Sequence, residues 1–184
     1  QTLHSESNLM DSSYVRPLLE RKPDRPEEVR AKAHIDLALA YIEIGRVDVA
    51  LDELRAAAAE APDYPPLHYA WGVTHLAIGD RVQAESGLKR ALAAAPRDPD
   101  FNYAYGWFLC TGPDPASGLP YIEQVVTNPY YGGKARAYAN LAWCQDMTGN
   151  REAARRSIQE AIRLEPRNTV VLYQAARLAQ RWGE

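Results

Sequence analysis

Apolar side chains recur along this chain at helical spacing, and the recurrences themselves repeat. Between Pro65 and Asp98, one helical face carries Trp71, Gly72 and His75. The pattern is interrupted at Gly79 and Asp80 and resumes at Ala84, Leu88 and Ala91. Steps of three and four keep side chains on one face of an α-helix, so the segment predicts two helices joined by a glycine turn. A backward shift of 34 carries Gly79 onto Gly45, and Ala84, Leu88, Ala91 and Pro96 onto Ala50, Leu54, Ala57 and Pro62. A forward shift of 34 carries Gly72, Ala84, Leu88 and Ala91 onto Gly106, Gly118, Ile122 and Val125, which keeps the size class. The next copy needs a step of 36 and lands on Gly149, Ala154, Ile158, Ala161 and Pro166. The two extra residues fall to the connector from Tyr130 to Gly133.

A helix-turn-helix unit repeating every ~34 residues, with small, small, large and small side chains and a closing proline, is the tetratricopeptide signature. The steric reason is direct. Small residues let two antiparallel helices approach closely, the larger one fills the wedge, and proline stops helix B from running on. The fold class expected is all-α, a right-handed superhelical solenoid of tetratricopeptide repeats. Residues 1–25 read as a flexible lead-in and residues 26–184 as the repeat domain. Repeats fall at about 31–64, 65–98, 99–134 and 135–168, followed by a C-terminal helix over 169–182.

The lead-in is polar, with Ser5, Ser7, Ser12 and Ser13 and a Lys22-Pro23-Asp24-Arg25-Pro26 cluster. At most a short helix fits around Tyr14 to Arg21, because Pro17 limits it. Pro26 with Glu27 and Glu28 has first-turn chemistry and starts helix A of the first repeat, which runs to about Ile44. Helix B follows to Ala61, with Asp48 available as its cap. Helices of the second repeat are expected over about 66–78 and 82–94. The third repeat opens with the aromatic run Phe101 to Leu109 and is then broken by Thr111-Gly-Pro-Asp-Pro-Ala-Ser117. Helix B resumes near Gly118. Gly132 and Gly133 supply residues that can take positive φ in a longer turn. The fourth repeat covers about 134–148 and 151–164. The final helix is either a cap or helix A of a fifth repeat, since Gly183 follows Gly149 by the same period that separates Gly45 from Gly79.

At 184 residues and 46% apolar the chain can bury a core without staples. The net charge of −3, with basic residues spread among acidic ones, gives no electrostatic case for nucleic acid or an anionic membrane surface. No apolar run approaches the length of a bilayer span. The chain starts at Gln1 without a signal-peptide pattern, which leaves its compartment open.

In tetratricopeptide stacks the A helices line a concave groove. Counting from Pro65 as position one, positions 5, 9 and 12 are expected to face it. These are Ile35, Tyr69, Tyr103 and Ala139, then Leu39, Val73, Trp107 and Trp143, then Ile42 and Leu76. Such a lining suits an apolar or amphipathic peptide. The competing reading packs the same side chains against the next A helix. A lysine, asparagine and arginine clamp for a terminal carboxylate is absent, because Asp100, Ala104 and Ile35 stand where it would lie. Cys110 and Cys144 fall at positions 12 and 10 of successive A helices, faces rotated by about 200°. Neighbouring helices in a stack meet through opposite faces, so a disulfide is favoured over two buried thiols. His34, His68 and His75 occupy packing positions 4, 4 and 11, which suits core histidines better than metal ligands. No phosphate loop, nucleophile elbow or carboxylate pair points to an enzyme, and no cofactor or metal is expected.

Three stretches carry a more specific resemblance. They are Arg30 to Gly45, Asn102-Tyr-Ala-Tyr-Gly-Trp-Phe-Leu-Cys110, and Asn128-Pro-Tyr-Tyr131 with Ala135-Arg-Ala-Tyr-Ala-Asn-Leu-Ala-Trp-Cys144. Over roughly Arg30 to Asn168 the chain resembles the type IV pilus biogenesis lipoproteins of the PilF and PilW kind. That resemblance implies a periplasmic pilotin anchored in the outer membrane by an N-terminal lipid that would precede this sequence. It implies assistance to the secretin subunit in reaching the outer membrane and multimerising. It also implies a disulfide between Cys110 and Cys144, and partner contact through Ile35, Leu39, Ile42, Tyr69, Val73 and Leu76. The alternative is a general peptide-binding adaptor or chaperone of another cell-envelope complex.

Overall fold

Every helix A that ends in a left-handed glycine ends in the same way, and that repetition sets the architecture. In the computed structural model, which describes residues 14–184, positive φ among the described residues is confined to Gly45, Gly79, Gly149 and Gly183, at 73–87°. At the first of these the Gly45 amide donates to Ile42 O and the Arg46 amide reaches back to Tyr41 O at 2.9 Å. Asp80 to His75 and Asn150 to Gln145 repeat the second bond at 2.9 Å each, and Glu184 to Ala179 at 2.8 Å. A glycine without Cβ takes this conformation at no steric cost, and the reversed bonds satisfy the last carbonyls of the helix. The final helix therefore ends as a helix A does.

Nine α-helices are found among the described residues. They are α1 (Pro26–Glu43), α2 (Val47–Glu60), α3 (Pro65–Ala77), α4 (Arg81–Ala94), α5 (Pro99–Cys110), α6 (Leu119–Val126), α7 (Lys134–Met147), α8 (Arg151–Leu164) and α9 (Thr169–Trp182). Short 3₁₀ turns lie at Leu18–Glu20 and Pro115–Gly118. The chain divides into two compact units, Pro17–Phe108 on one side and residues 14–16 with Leu109–Glu184 on the other.

In the first unit, Ala31, Ile35 and Ala38 of α1 pack with Ala50, Leu54 and Ala57 of α2 and with Leu67 and Ala70 of α3. α3 and α4 touch backbone to backbone. A Cβ built on Gly87 would lie 2.6 Å from the carbonyl of His68 and 2.8 Å from the amide nitrogen of Gly72. Asp80 caps α4 by accepting from the Gln83 amide at 3.2 Å. Asp48 does not act this way in α2. That helix starts one residue earlier, so Arg46 is its N-cap and Asp48 lies inside the first turn, paired with Arg46 at 3.1 Å.

The described part of the lead-in is held rather than loose. The Leu18 amide donates to Asp98 Oδ2 at 2.8 Å, Pro17 is fully buried, and Leu19 packs on the core of the first repeats. Ser5, Ser7, Ser12 and Ser13 lie outside the described residues.

In the second unit, Ala135, Ala139 and Ala142 of α7 pack with Ala154, Ile158 and Ala161 of α8 and with Val171 and Leu178 of α9. Asn150 caps α8 and Asn168 caps α9. The break at Thr111 to Ser117 leaves α6 only eight residues, with Ile122, Val125 and Val126 buried. Gly132 and Gly133 do not use positive φ; Gly133 has φ −88°. The turn is closed instead by Asn128, whose Oδ1 accepts from the Tyr130 amide at 2.9 Å while its Nδ2 donates to Val15 O at 3.0 Å.

Candidate protein-binding site

Helical spacing places positions 5, 9 and 12 of each A helix on neighbouring strips of surface, but the structure uses the strips differently. Position 5 is a packing position. Ile35 is fully buried in the core of α1, α2 and α3, and Tyr103 is 9% exposed. Neither lines an open groove, which corrects the expectation for both. Tyr69, at the same position of α3, stacks on Phe101 of α5 with ring centroids 5.3 Å apart. For Ile35 and Tyr69 the reason is geometric: position 5 turns toward the following A helix, so their side chains are taken up in packing α1 on α3 and α3 on α5.

Positions 9 and 12 keep part of their surface. Leu39, Ile42, Val73, Leu76 and Trp107 are all half-buried. Leu39, Ile42 and Tyr69 pack with one side on the same core cluster. α1 and α3 lie in direct contact, so Leu39 and Ile42 on one helix and Val73 and Leu76 on the next share a half-open apolar band. A band anchored from below and open above can accept a partner side chain without first unfolding, and packing on one side leaves it less rotamer freedom to lose.

Trp143, in the second unit, is a different site. The guanidinium of Arg177 lies 3.5 Å from its ring centroid and that of Arg181 at 5.5 Å. Its face is covered by cations of α9 rather than left as an open apolar wall. Asp146 organises this end. Its Oδ2 accepts from Arg181 Nε and its Oδ1 from Trp182 Nε1, both at 2.8 Å. Burial pushes the Asp146 carboxyl up, but the bonds from Arg181 and Trp182 outweigh it and hold the group below its ordinary value. Gln174 Nε2 donates to the buried Asn140 Oδ1 at 2.8 Å, so α9 is docked on α7 by polar as well as apolar contacts.

Cys110 and Cys144 form a disulfide with Cα atoms 5.6 Å apart, and both are buried. It ties the C-terminus of α5 to α7.

The histidines do different jobs. His34 Nδ1 lies 2.6 Å from Glu53 Oε2 across α1 and α2. His75 is 8% exposed and packs its ring 4.3 Å from that of Trp71. His4 lies outside the described residues. Among the described residues no group of three or more histidine, cysteine, aspartate or glutamate side chains is placed to hold a metal, and no helix is long and apolar enough to cross a membrane.

Some exposed apolar side chains are not singled out by the position rule. Ile44 is 70% exposed and Ile78 50%, at equivalent points of successive repeats where helix A ends. The period itself is the signal that finds them.

Comparison with known proteins agrees with this architecture. Three models described as tetratricopeptide repeat match, over residues 13–65, 45–108 and 135–168. The chain is therefore a tetratricopeptide-repeat protein, of a class whose stacked repeats present extended protein-binding surfaces. No curated protein matches it by sequence. Among solved structures it is similar to PilF of Pseudomonas aeruginosa, 21% identical, with a TM-score of 0.73 over 85% of this chain and 71% of that one. It is similar also to PilW, described as a widely conserved type IV pilus biogenesis factor, 20% identical with a TM-score of 0.73 over 83% and 70%. A third is YrrB, a repeat protein with an unusual peptide-binding site, 20% identical with a TM-score of 0.59 over 79% and 74%. At these identities the likeness is one of fold.

Proposed function

We propose that the protein is a non-catalytic scaffold of type IV pilus biogenesis. It works in the periplasm from an outer-membrane lipid anchor and helps the secretin subunit to localise and multimerise. The observation that carries this reading is the half-open band of Leu39, Ile42, Val73 and Leu76 on α1 and α3, with Trp107 half-buried at the equivalent position of α5. Apolar anchors presented side by side on rigid helices suit an amphipathic segment of a partner, with the flanking helix surfaces excluding water around it. The fold likeness to PilF and PilW supports the pilus assignment, and the Cys110–Cys144 disulfide fits an oxidising compartment.

The test is assembly of the pilus secretin in cells with and without this protein, read as detergent-resistant multimers in the outer membrane. With the protein present, multimers accumulate. Replacing Val73 and Leu76 together by glutamate removes them while helicity is unchanged. Equal assembly in all three strains would overturn the reading. A second reading, an adaptor for another envelope complex, is favoured by the likeness to YrrB. It gains if secretin assembly is indifferent to the protein while another envelope protein is lost from its complex.

A further inference from the structure

A second concave site lies away from the apolar band, between the B helices of the first two repeats. α2 and α4 flank it, α3 forms its floor, and it encloses about 360 Å³. Its walls are apolar: Leu54 and Ala58 from α2, Leu67 and Trp71 from α3. Leu54 and Leu67 are buried at 1% and 6% exposure, so they belong to the core, while Trp71 is half-buried. The Trp71 indole is fixed, its Nε1 donating to Gln83 Oε1 at 3.2 Å. None of the residues of the apolar band contributes to this lining.

The rim has one sign of charge. Arg55 and Arg90 stand on α2 and α4, both exposed, with His68 of α3 between them, and among the described residues no carboxylate lines the pocket. The acids that reach it do so from outside. Asp52 holds Arg55 at 2.9 Å on the solvent side, and Asp63 pulls weakly on His68. Burial lowers the affinity of His68 for a proton and the neighbouring Arg90 lowers it further, as expected where the local field is positive.

Volume and chemistry together narrow the occupant. Ligand sites span roughly 300–1,000 Å³, and this one stands near the lower end, the size of a large side chain rather than of a cofactor. Core aliphatics and an indole suit an aromatic or long aliphatic group. Two guanidinium groups at the mouth suit carboxylates, which they can grip through paired hydrogen bonds.

We propose that this pocket binds an acidic segment of a partner polypeptide: one large apolar side chain rests against Ala58, Pro62 and Trp71, over a floor formed by the core residues Leu54 and Leu67, and carboxylates on either side meet Arg55 and Arg90. The site is separate from the band assigned to the secretin and stands or falls without it.

The test is nuclear magnetic resonance of the full chain titrated with the capped peptide acetyl-Glu-Phe-Glu-amide, following the Trp71 indole N–H. The expected result is a saturable shift of Trp71. Affinity for acetyl-Lys-Phe-Lys-amide, for acetyl-Glu-Ala-Glu-amide, or of the Arg90→Glu variant for the acidic peptide, is weaker by at least about tenfold, the scale of one close charge pair or a buried anchor. Arg90 is exposed, so the variant keeps its fold, checked by its unperturbed spectrum away from the pocket. No saturable shift, equal shifts with the lysine or alanine peptide, or full binding by Arg90→Glu overturns the proposal. So does a Trp71 shift produced by phosphatidylglycerol vesicles and not by the peptide, which would make the pocket a lipid site.

Discussion

Gly87→Ala sets two physical effects against each other with opposite signs. In an exposed helix, replacing glycine by alanine is stabilising by about 1 kcal/mol, because the unfolded chain loses freedom it would otherwise have to give up. Gly87 is in the middle of α4 and buried against α3. The added methyl would sit 2.6 Å from the His68 carbonyl oxygen, 2.8 Å from the Gly72 nitrogen and 3.0 Å from the Gly72 Cα. All three are backbone atoms within one helical turn, so no rotamer change relieves the contact and the two helices must move apart. Overpacking of this kind costs about 1–3 kcal/mol, and the upper part of that range applies where nothing flexible can yield. The net expectation is destabilisation by about 1–2 kcal/mol. With a urea slope of about 2 kcal/mol/M, the midpoint for Pro17–Phe108 falls by about 0.5–1 M. The assay is urea unfolding followed by far-UV circular dichroism, with amide hydrogen exchange on α3 and α4 to localise the change. Stabilisation by the propensity term alone would refute the claim that α3 and α4 meet backbone to backbone. Gly72→Ala is the companion variant. It meets the Leu88 side chain at 2.7 and 2.9 Å and the Leu88 backbone nitrogen at 3.0 Å, and because Leu88 is fully buried this variant too is expected to destabilise the unit.

The disulfide closes a sequence separation of 34, for which the chain-entropy model gives about 4 kcal/mol as an upper value. Reduction, or Cys110→Ser with Cys144→Ser, is expected to lower the melting temperature of the unit that holds it by on the order of 15–30 °C; an unchanged transition on reduction would contradict this. Asp100 is pushed up to about 7, by burial first and then by the negative charges of Asp98 and Glu20. A raised carboxyl favours the fold while protonated, so its contribution is full below about 4 and is lost as pH rises through about 7. The urea midpoint of Pro17–Phe108 is therefore expected to be higher at pH 5.5 than at pH 8, and Asp100→Asn to flatten that difference; the same profile in both proteins counts against it. Asp146 carries the opposite sign. Its carboxyl is held low, so the docking of α9 is stable above about 4 and is lost as pH falls below that. Asp146→Ala is expected to free the C-terminal end of α9 at neutral pH, read as faster amide exchange from Arg177 to Trp182; unchanged exchange would refute the role given to Asp146.

Helix placement is legible because the punctuation is physical. Gly45, Gly79 and Gly149 take the same left-handed φ, and each ends a helix A where the steps of 34 and 36 put it. Pro26 and Pro65 start helices because a missing amide is harmless at a first position. What periodicity cannot weigh is the use of each strip of the helix surface. Position 5 shares a face with positions 9 and 12 on paper, yet Ile35 is drawn into the core shared with α3, and Tyr103 is buried as well. Trp143 reads from its position as an apolar wall, and Arg177 covers it through a contact that depends on how α9 lies on α7. The grip of Asp98 on the Leu18 amide joins positions 80 apart and leaves no local mark in the sequence. The pocket rimmed by Arg55 and Arg90 likewise joins residues from three helices, none of which stands out alone.

The most direct measurement of the central claim is site-specific photocrosslinking with benzoylphenylalanine placed at Val73, Leu76 or Trp107, and at Lys89 on exposed surface of α4, in cells that make the pilus secretin. The account expects a secretin adduct from Val73, Leu76 and Trp107 and none from Lys89. Adducts from Lys89 alone, or none from any position while the secretin still assembles only in the presence of this protein, would contradict it.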